Sequence, residues 1–383
     1  MRLLHTSDWH LGRSFHREDL LGAQAGFVDF LVETVAQEQV DAVLVAGDVY
    51  DRALPSVDAV TLFDDALRRL AGTGAPVVLI SGNHDSAGRL GFGSGLMDHA
   101  GIHLRTDPGA AHRRVLLPDG AGEVAVYALP YLEPDAVRGE LGCHERSHAA
   151  VTAAAMRRVR TDLSSRPGAR SVVLSHAFVT GGQPSESERD ISVGGVASVP
   201  LATFDGVDYA ALGHLHGPQR LSDTVRYSGS PLAYSFSEDH HRKAVLLVDL
   251  DDRPGRPPTV ESLPTPVPRP LARLTGTLDD LLTGARWAGH TGHYLQITLT
   301  DPVRPREPMQ RLRARFPHVL VLGFAPVGAR SEAERSYAER VRGRTDQQIA
   351  TDFVGHVRGE VEPAETTLLG EALEQVRRAE ATV

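Results

Sequence analysis

The chain reads as an α/β protein built on largely parallel sheets covered on both faces, and three observations predict it. Short β-branched runs alternate with helical patterns over the first 250 residues. The runs are apolar almost throughout rather than at every second position, and several of them end in a Gly/Asp/Asn/His turn. Strand, crossover helix, strand is the connection that a parallel sheet requires, and an unbroken apolar run belongs to a strand buried on both faces.

In chain order, 2–6, 42–46 and 77–81 are predicted strands. Between the last two, 57–70 is a predicted helix: Pro55 stands just ahead of it, and Val60, Phe63, Leu67 and Leu70 recur at helical spacing. Further strands are predicted at 124–128, 171–174, 207–212, 224–227 and 244–249, completing a first domain, 1–250. Seven of the 24 prolines fall in 251–270. That density forbids a helix or a central strand, so the segment reads as an extended connector. Beyond it, 271–276, 294–299 and 319–324 are predicted strands of a smaller α/β domain, 271–330. The remainder, 331–383, is charged and helical in pattern. Ile349, Phe353 and Val357 form one apolar stripe, and Leu369, Leu373 and Val376 another.

Composition narrows the class. With 383 residues, 41% hydrophobic and 23% charged, the chain is neither collagen-like nor wholly disordered nor a coiled coil. A formal charge of −9 means that any grip on nucleic acid must come from local basic loops. The lone cysteine, Cys143, closes no intramolecular disulfide and suits a reducing interior. Met1–Leu4 run straight into polar residues, and no stretch of about 18 apolar residues occurs, so the expectation is a soluble, cytoplasmic protein. Of the 40 basic residues, only Lys243 is a lysine.

Five clusters stand where a predicted strand ends: Asp8-Trp9-His10, Gly47-Asp48-Val49-Tyr50-Asp51, Gly82-Asn83-His84-Asp85, Ser175-His176 and Gly213-His214-Leu215-His216. In parallel α/β sheets, ligands gather outside the carboxyl ends of the strands. One site is therefore predicted to receive carboxylates, imidazoles and a carboxamide. No thiolate joins them, so the mixture suits Mn²⁺, Fe²⁺ or Zn²⁺ rather than an iron–sulfur cluster. Seven ligands are too many for one ion with an open position but suit two ions that share a carboxylate, for which Asp48 is the natural bridge. The histidines outside these clusters are read as surface or packing residues, and Trp9 as packing.

The order Asp-x-His, Gly-Asp, Gly-Asn-His-Asp, His, Gly-His-x-His resembles that of the calcineurin-like metallophosphoesterases. Within them the chain is similar to the bacterial DNA-end-processing nucleases. The likeness is carried by Ser7-Asp8-Trp9-His10-Leu11-Gly12, Gly47–Asp51, Ser185-Glu186-Ser187-Glu188-Arg189-Asp190, Tyr227-Ser228-Gly229-Ser230-Pro231 and Ser235-Phe236-Ser237-Glu238. The resemblance implies a four-layer α/β/β/α sandwich with a capping domain and C-terminal helices. It implies one metal on Asp8, His10, Asp48 and His216, and a second on Asp48, Asn83, His176 and His214, both Mn²⁺. His84 is then no ligand but faces the scissile phosphate, with Asp85 behind it. The expected activity is a 3′–5′ exonuclease and a single-strand or hairpin endonuclease on DNA. The expected partner is an SMC-like ATPase, docked on the C-terminal stripes, in an assembly that also pairs two copies of this chain. Thr180–Gly195 is a Gly/Ser-rich loop directly after His176, and its Ser185, Ser187 and Arg189 are expected to hold phosphates. Two other readings remain open: a small-molecule or nucleotide phosphodiesterase, and a metal-stabilised scaffold for DNA ends.

Overall fold

The computed structural model describes residues 1–192, 198–326, 344–359 and 361–380. Two six-stranded sheets dominate it. The first runs, edge to edge, Thr259–Pro264, Ala244–Asp249, Arg2–Thr6, Ala42–Val45, Val77–Ile80, Ile102–Arg105. Its last four strands are parallel, while Ala244–Asp249 is antiparallel to both its neighbours. The second runs Gln219–Arg220, Val225–Tyr227, Tyr209–Gly213, Arg170–His176, Gly122–Leu129, Val115–Asp119, with four parallel strands between two antiparallel edges.

The strands read as unbroken apolar runs because each has a hydrophobic environment on both sides. Leu3, Leu44, Val78 and Ile80 meet Val126, Val172, Leu174 and Ala211 of the other sheet in a core between the two sheets. Their alternates Leu4, Val43, Val45, Val77 and Leu79 pack outward against helices Leu21–Gln37 and Val57–Thr73. On the far side, Ala125, Tyr127, Val173 and Leu212 pack against Pro134–Leu141 and His148–Ser164. The result is helix, sheet, sheet, helix. The predicted helix at 57–70 extends to Thr73, started by Ser56, whose hydroxyl accepts from Ala59 N–H, and ended at Gly74 in the left-handed conformation (φ 83°).

Within the proline-rich segment, Thr259–Pro264 forms a strand at the edge of the first sheet, the one position where proline costs no ladder hydrogen bond. Leu271–Gly276, Tyr294–Leu299 and Val319–Phe324 form a three-stranded sheet. Two helices, Leu278–Thr283 and Pro308–Arg315, cover it through Leu278, Leu281, Leu312 and Phe316. By packing, residues 1–299 with 306–323 make one unit, and 300–305 with 324–383 a second. In the second, helices Asp346–Arg358 and Pro363–Glu380 are joined by the Gln347 side-chain amide donating to Thr366 O. Thr345 and Gln348 cap the first of them reciprocally. Part of the predicted helical segment, 331–343, and the side chain of Val376 lie outside the described residues.

Candidate metal centre

All five clusters meet where the carboxyl ends of the two sheets face each other. Asp8 and His10 follow strand Arg2–Thr6, Asp48 follows Ala42–Val45, and Asn83 and His84 follow Val77–Ile80, three adjacent parallel strands. From the second sheet, His176 closes its strand and stands in register with Gly213, so His214 and His216 leave from the neighbouring strand end. Asp8, His10, Asp48, His176, His214 and His216 are all buried.

Close approach of the two sheets explains the glycines. His176 Nδ1–H donates to Ala46 O at 2.9 Å, and a Cβ on Gly213 would stand 1.9 Å from that same carbonyl oxygen. A Cβ on Gly82 would fall 2.1 Å from Asp48 Oδ1. Four of the candidate ligands are non-glycine residues at positive φ: Asp8 (54°), His10 (46°), Asp48 (50°) and His214 (105°). Such strain persists only where neighbouring bonds over-determine it. Here Asp8 N–H donates to Gly47 O, His10 N–H to Asp48 O, and His214 N–H to the Asp8 carboxylate.

The side chains fall into two groups around Asp48, with Asp8 close to both: it also comes within 4.8 Å of Asp48 and His176. Asp8, His10 and His216 present ligand atoms within 4.8 Å of one another, with His10 Nε2 and His216 Nε2 3.1 Å apart. Asp48 Oδ2 lies 3.6 Å from His10 Nε2 and 3.5 Å from His176 Nε2, between the groups. Asn83 Oδ1 lies 2.9 Å from His176 Nε2 and 3.2 Å from His214 Nδ1. His84 also comes within the 4.8 Å grouping of His10 and Asp48. A cation fits this arrangement: lone pairs of seven residues converge on it.

Electrostatics leave His10, His214 and Asp48 ready to donate, whereas His176 holds a proton that a cation must displace. Burial holds the His10 imidazole well below its ordinary value and so neutral. Burial, reinforced by the charge of His176, does the same for His214. Burial alone would raise Asp48, but the adjoining His176 outweighs it and holds the carboxyl well below the usual range. Burial lowers His176, yet Asp48 overcomes it and raises the imidazole to about 9. Asp8 is pushed up to about 6 by burial, against the pull of His176.

His84 is oriented by a backbone carbonyl, its Nδ1–H donating to Asp51 O at 2.7 Å, and not by the Asp85 carboxylate. Asp85 instead accepts from Val49 N–H (3.1 Å), Tyr50 N–H (2.9 Å) and Gly82 N–H (2.9 Å), tying the loop of Asp48 to the loop of Asn83. The Ser185 and Ser187 hydroxyls lie 2.8 Å from each other and bond to Glu188 (2.7 Å) and Glu238 (2.6 Å) respectively. Arg189 is exposed and lines a cleft of about 460 Å³ that begins at Asn83 and includes Tyr131, Glu133 and Arg146. Residues 193–195 of its loop lie outside the described residues. Arg13 is engaged internally: it donates to Ser187 O and lies over the Tyr234 ring. Trp9 is fully buried, edge-on to Phe27 and Phe63.

Sequence reasoning missed the residues behind the centre. The buried Gln24 amide donates to His10 O (2.8 Å) and accepts from Gly12 N–H (3.0 Å), fixing the first loop to its helix. Tyr234 O–H donates to Trp9 O. Glu188 accepts from His216 N–H (2.8 Å), and Glu238 is buried against Lys243 and Ser187. The stretches 185–190 and 235–238, conspicuous in the sequence only by resemblance, meet here: Glu186 N–H donates to Ser237 Oγ.

The model of the calcineurin-like phosphoesterases matches residues 1–218, and the chain belongs to that family. A second model, SbcD_C, the Type 5 capsule protein repressor C-terminal domain, matches residues 267–357. The two together give the chain the composition of an SbcD-type nuclease. Among solved structures, a protein from Thermus thermophilus is 14% identical over 69% of this chain and 98% of its own, with a TM-score of 0.40. A dimetal phosphatase from Danio rerio is 14% identical over 68% and 98%, with a TM-score of 0.38. No described helix is long and apolar enough to cross a membrane.

Proposed function

We propose that the chain is a Mn²⁺-dependent DNA nuclease, a 3′–5′ exonuclease and single-strand or hairpin endonuclease, that processes DNA ends with the SMC-like ATPase SbcC in recombination and repair. The observation that carries this reading is the union, in one chain, of a phosphoesterase domain holding seven convergent donors with an SbcD_C domain. Asp8, His10, Asp48 and His216 would hold one cation, and Asp48, Asn83, His176 and His214 the other. Bound there, the pair would supply the positive charge that stabilises the attacking and leaving oxygens of an in-line phosphoryl displacement.

The chain's own residues complete the chemistry. With Nδ1–H committed to Asp51 O, His84 is left with Nε2 to hold a proton for the leaving oxygen. Asp85 keeps the two ligand loops in register. Arg189, at the cleft that opens from Asn83, supplies a forked contact to a neighbouring phosphate. Phe353 and Val357 are 61% and 63% exposed on helix Asp346–Arg358, and we assign that face to the coiled-coil root of SbcC. Leu54, Val57, Phe92 and Leu96 are each more than two-thirds exposed, on segments linked by Arg89 donating to Ala53 O. We assign them to the pairing of two copies in a heterotetramer.

The test is cleavage of end-labelled duplex and hairpin DNA by purified protein with Mn²⁺, against His84→Ala. The wild type degrades both, and His84→Ala retains its metals but loses about 10²–10⁴-fold in rate. Turnover of bis(p-nitrophenyl) phosphate with all DNA left intact, even with the ATPase added, would replace this reading by a small-molecule or nucleotide phosphodiesterase. A metal-replete protein inert on every phosphodiester would leave a scaffold for DNA ends.

A further inference from the structure

We propose that Lys243, Glu238 and Ser187 form a hydrogen-bonded relay that fixes the tautomer and orientation of His216, and thereby the affinity of one cation site. The inference rests on the function proposed above and goes beyond it by assigning positioning residues outside the ligand set.

The relay starts from the one lysine among 40 basic residues. Lys243 is buried, and its Nζ donates to three acceptors in different directions: His216 O (2.9 Å), Ser230 Oγ (2.9 Å) and Glu238 Oε2. An ammonium has three N–H groups to meet them. A planar guanidinium has its donors in one plane and cannot, which accounts for lysine in a chain that elsewhere uses arginine. Glu238 is itself 1% exposed. Its second oxygen accepts from Ser187 O–H (2.6 Å) and Tyr234 N–H (3.1 Å).

Direction follows from proton counting. Ser187 has one hydroxyl proton, and Glu238, a pure acceptor, takes it. Ser187 Oγ therefore meets His216 Nδ1, 2.6 Å away, as an acceptor. Nδ1 carries the proton, and the Nε2 lone pair is left facing His10 and Asp8. The His216 backbone is held on both sides as well, its N–H by Glu188 and its carbonyl by Lys243. A ligating histidine is commonly held by its other nitrogen, and loss of that partner typically costs 10–100-fold in metal affinity.

The test is Mn²⁺ titration of the full chain by calorimetry, comparing wild type with Ser187→Ala, Ser187→Thr and Lys243→Arg. Ser187→Ala leaves the buried Lys243–Glu238 pair intact, so it avoids the unfolding that an unpaired buried charge invites. It is expected to weaken one of two binding steps 10–100-fold, leave the other step and the thermal midpoint unchanged, and be rescued by Ser187→Thr. Lys243→Arg is expected to weaken the same step. Two ions bound by wild type with unchanged affinities in Ser187→Ala, or equal weakening of both steps, would overturn the relay alone. Fewer than two ions bound by wild type would overturn the function reading and the relay with it.

Discussion

Replacing Gly82 by alanine isolates the geometry on which the candidate centre depends. Gly82 lies outside the positive-φ region, so alanine is conformationally allowed there and the only objection to a methyl group is what it meets. It would meet Asp48: Oδ1 at 2.1 Å, the backbone nitrogen at 2.4 Å and Cγ at 2.7 Å. Ordinary van der Waals contact lies beyond 3.4 Å, so Asp48 must retreat by about 1 Å, and overpacking of this kind costs about 1–3 kcal/mol. The retreat also breaks the His84 N–H bond to Asp48 Oδ1, 2.9 Å in length. Because Asp48 stands between both groups of ligands, both cation sites weaken together, and a displacement of about 1 Å at a reacting centre costs about 10²-fold in turnover. Mn²⁺ titration and phosphodiester hydrolysis measure the two effects. Gly74→Ala is the control: Gly74 has φ 83° but nothing within 4 Å of its Cβ position. That variant should lose about 1–2 kcal/mol of stability and keep its metals and rate. Gly82→Ala with wild-type affinity and turnover would refute the placement of Asp48 as the bridge.

Metal binding should depend on pH through the two groups that hold protons near neutrality. His176, raised to about 9, keeps a proton that a cation must displace, and Asp8, raised to about 6, adds a second below that pH. Mn²⁺ affinity is therefore expected to rise about tenfold per unit from pH 6 to 9 and more steeply below 6, with proton release visible in calorimetry; a flat profile would refute it. Gln24→Leu strands Gly12 N–H, at about 1–3 kcal/mol, while His10 C=O keeps the Arg13 N–H at 2.9 Å. Urea unfolding should show a loss of about 1–3 kcal/mol, and a loss under about 0.5 kcal/mol would deny the amide its structural role. Phe353→Asp with Val357→Asp should weaken capture of the ATPase more than tenfold while hydrolysis of bis(p-nitrophenyl) phosphate stays unchanged, and undiminished capture would move the docking face elsewhere.

The strands were legible because the four-layer architecture writes itself into them. Leu3 and Leu44 point to one core and Leu4, Val43 and Val45 to another, so most positions are apolar and the run announces its burial. Arg2–Thr6, Ala244–Asp249 and all three cap strands keep the predicted bounds. Val115–Asp119 was hidden by Pro118, tolerated because the strand lies at an edge. Helix His148–Ser164 was hidden by an alanine-rich face, in which Val151, Met156 and Val159 are the only large apolar side chains fully buried. The clusters of the centre were legible for a different reason: each sits at a strand end, most with a glycine that the close approach of backbone demands. Gln24, Glu188, Glu238 and Lys243 carry no such mark. A Ser-Glu-Ser-Glu stretch reads as solvated loop until the fold brings 185–190 against 235–238.

That asymmetry has a physical origin in how the centre is held. Its ligands sit on short turns between buried strands, four of them at positive φ, where a non-glycine residue costs about 1–3 kcal/mol. Asp and His tolerate that region better than most non-glycine residues, yet the conformation survives because partners distant in the chain hold it. Gly47 O takes Asp8 N–H, Asp8 takes His214 N–H from 206 residues away, and Asp85 binds the amides of Val49, Tyr50 and Gly82. All but the bond from Gly82 N–H to Asp85 cross between loops, so each of those constrains two turns at once. The chemistry-bearing residues are thus announced by the turns they occupy, whereas the groups that hold those turns in place are ordinary glutamates, glutamines and serines whose role exists only in the folded chain. Mutational damage should divide the same way: loss of a ligand removes a cation, and loss of a supporting group loosens the turn and misplaces a ligand that is still present.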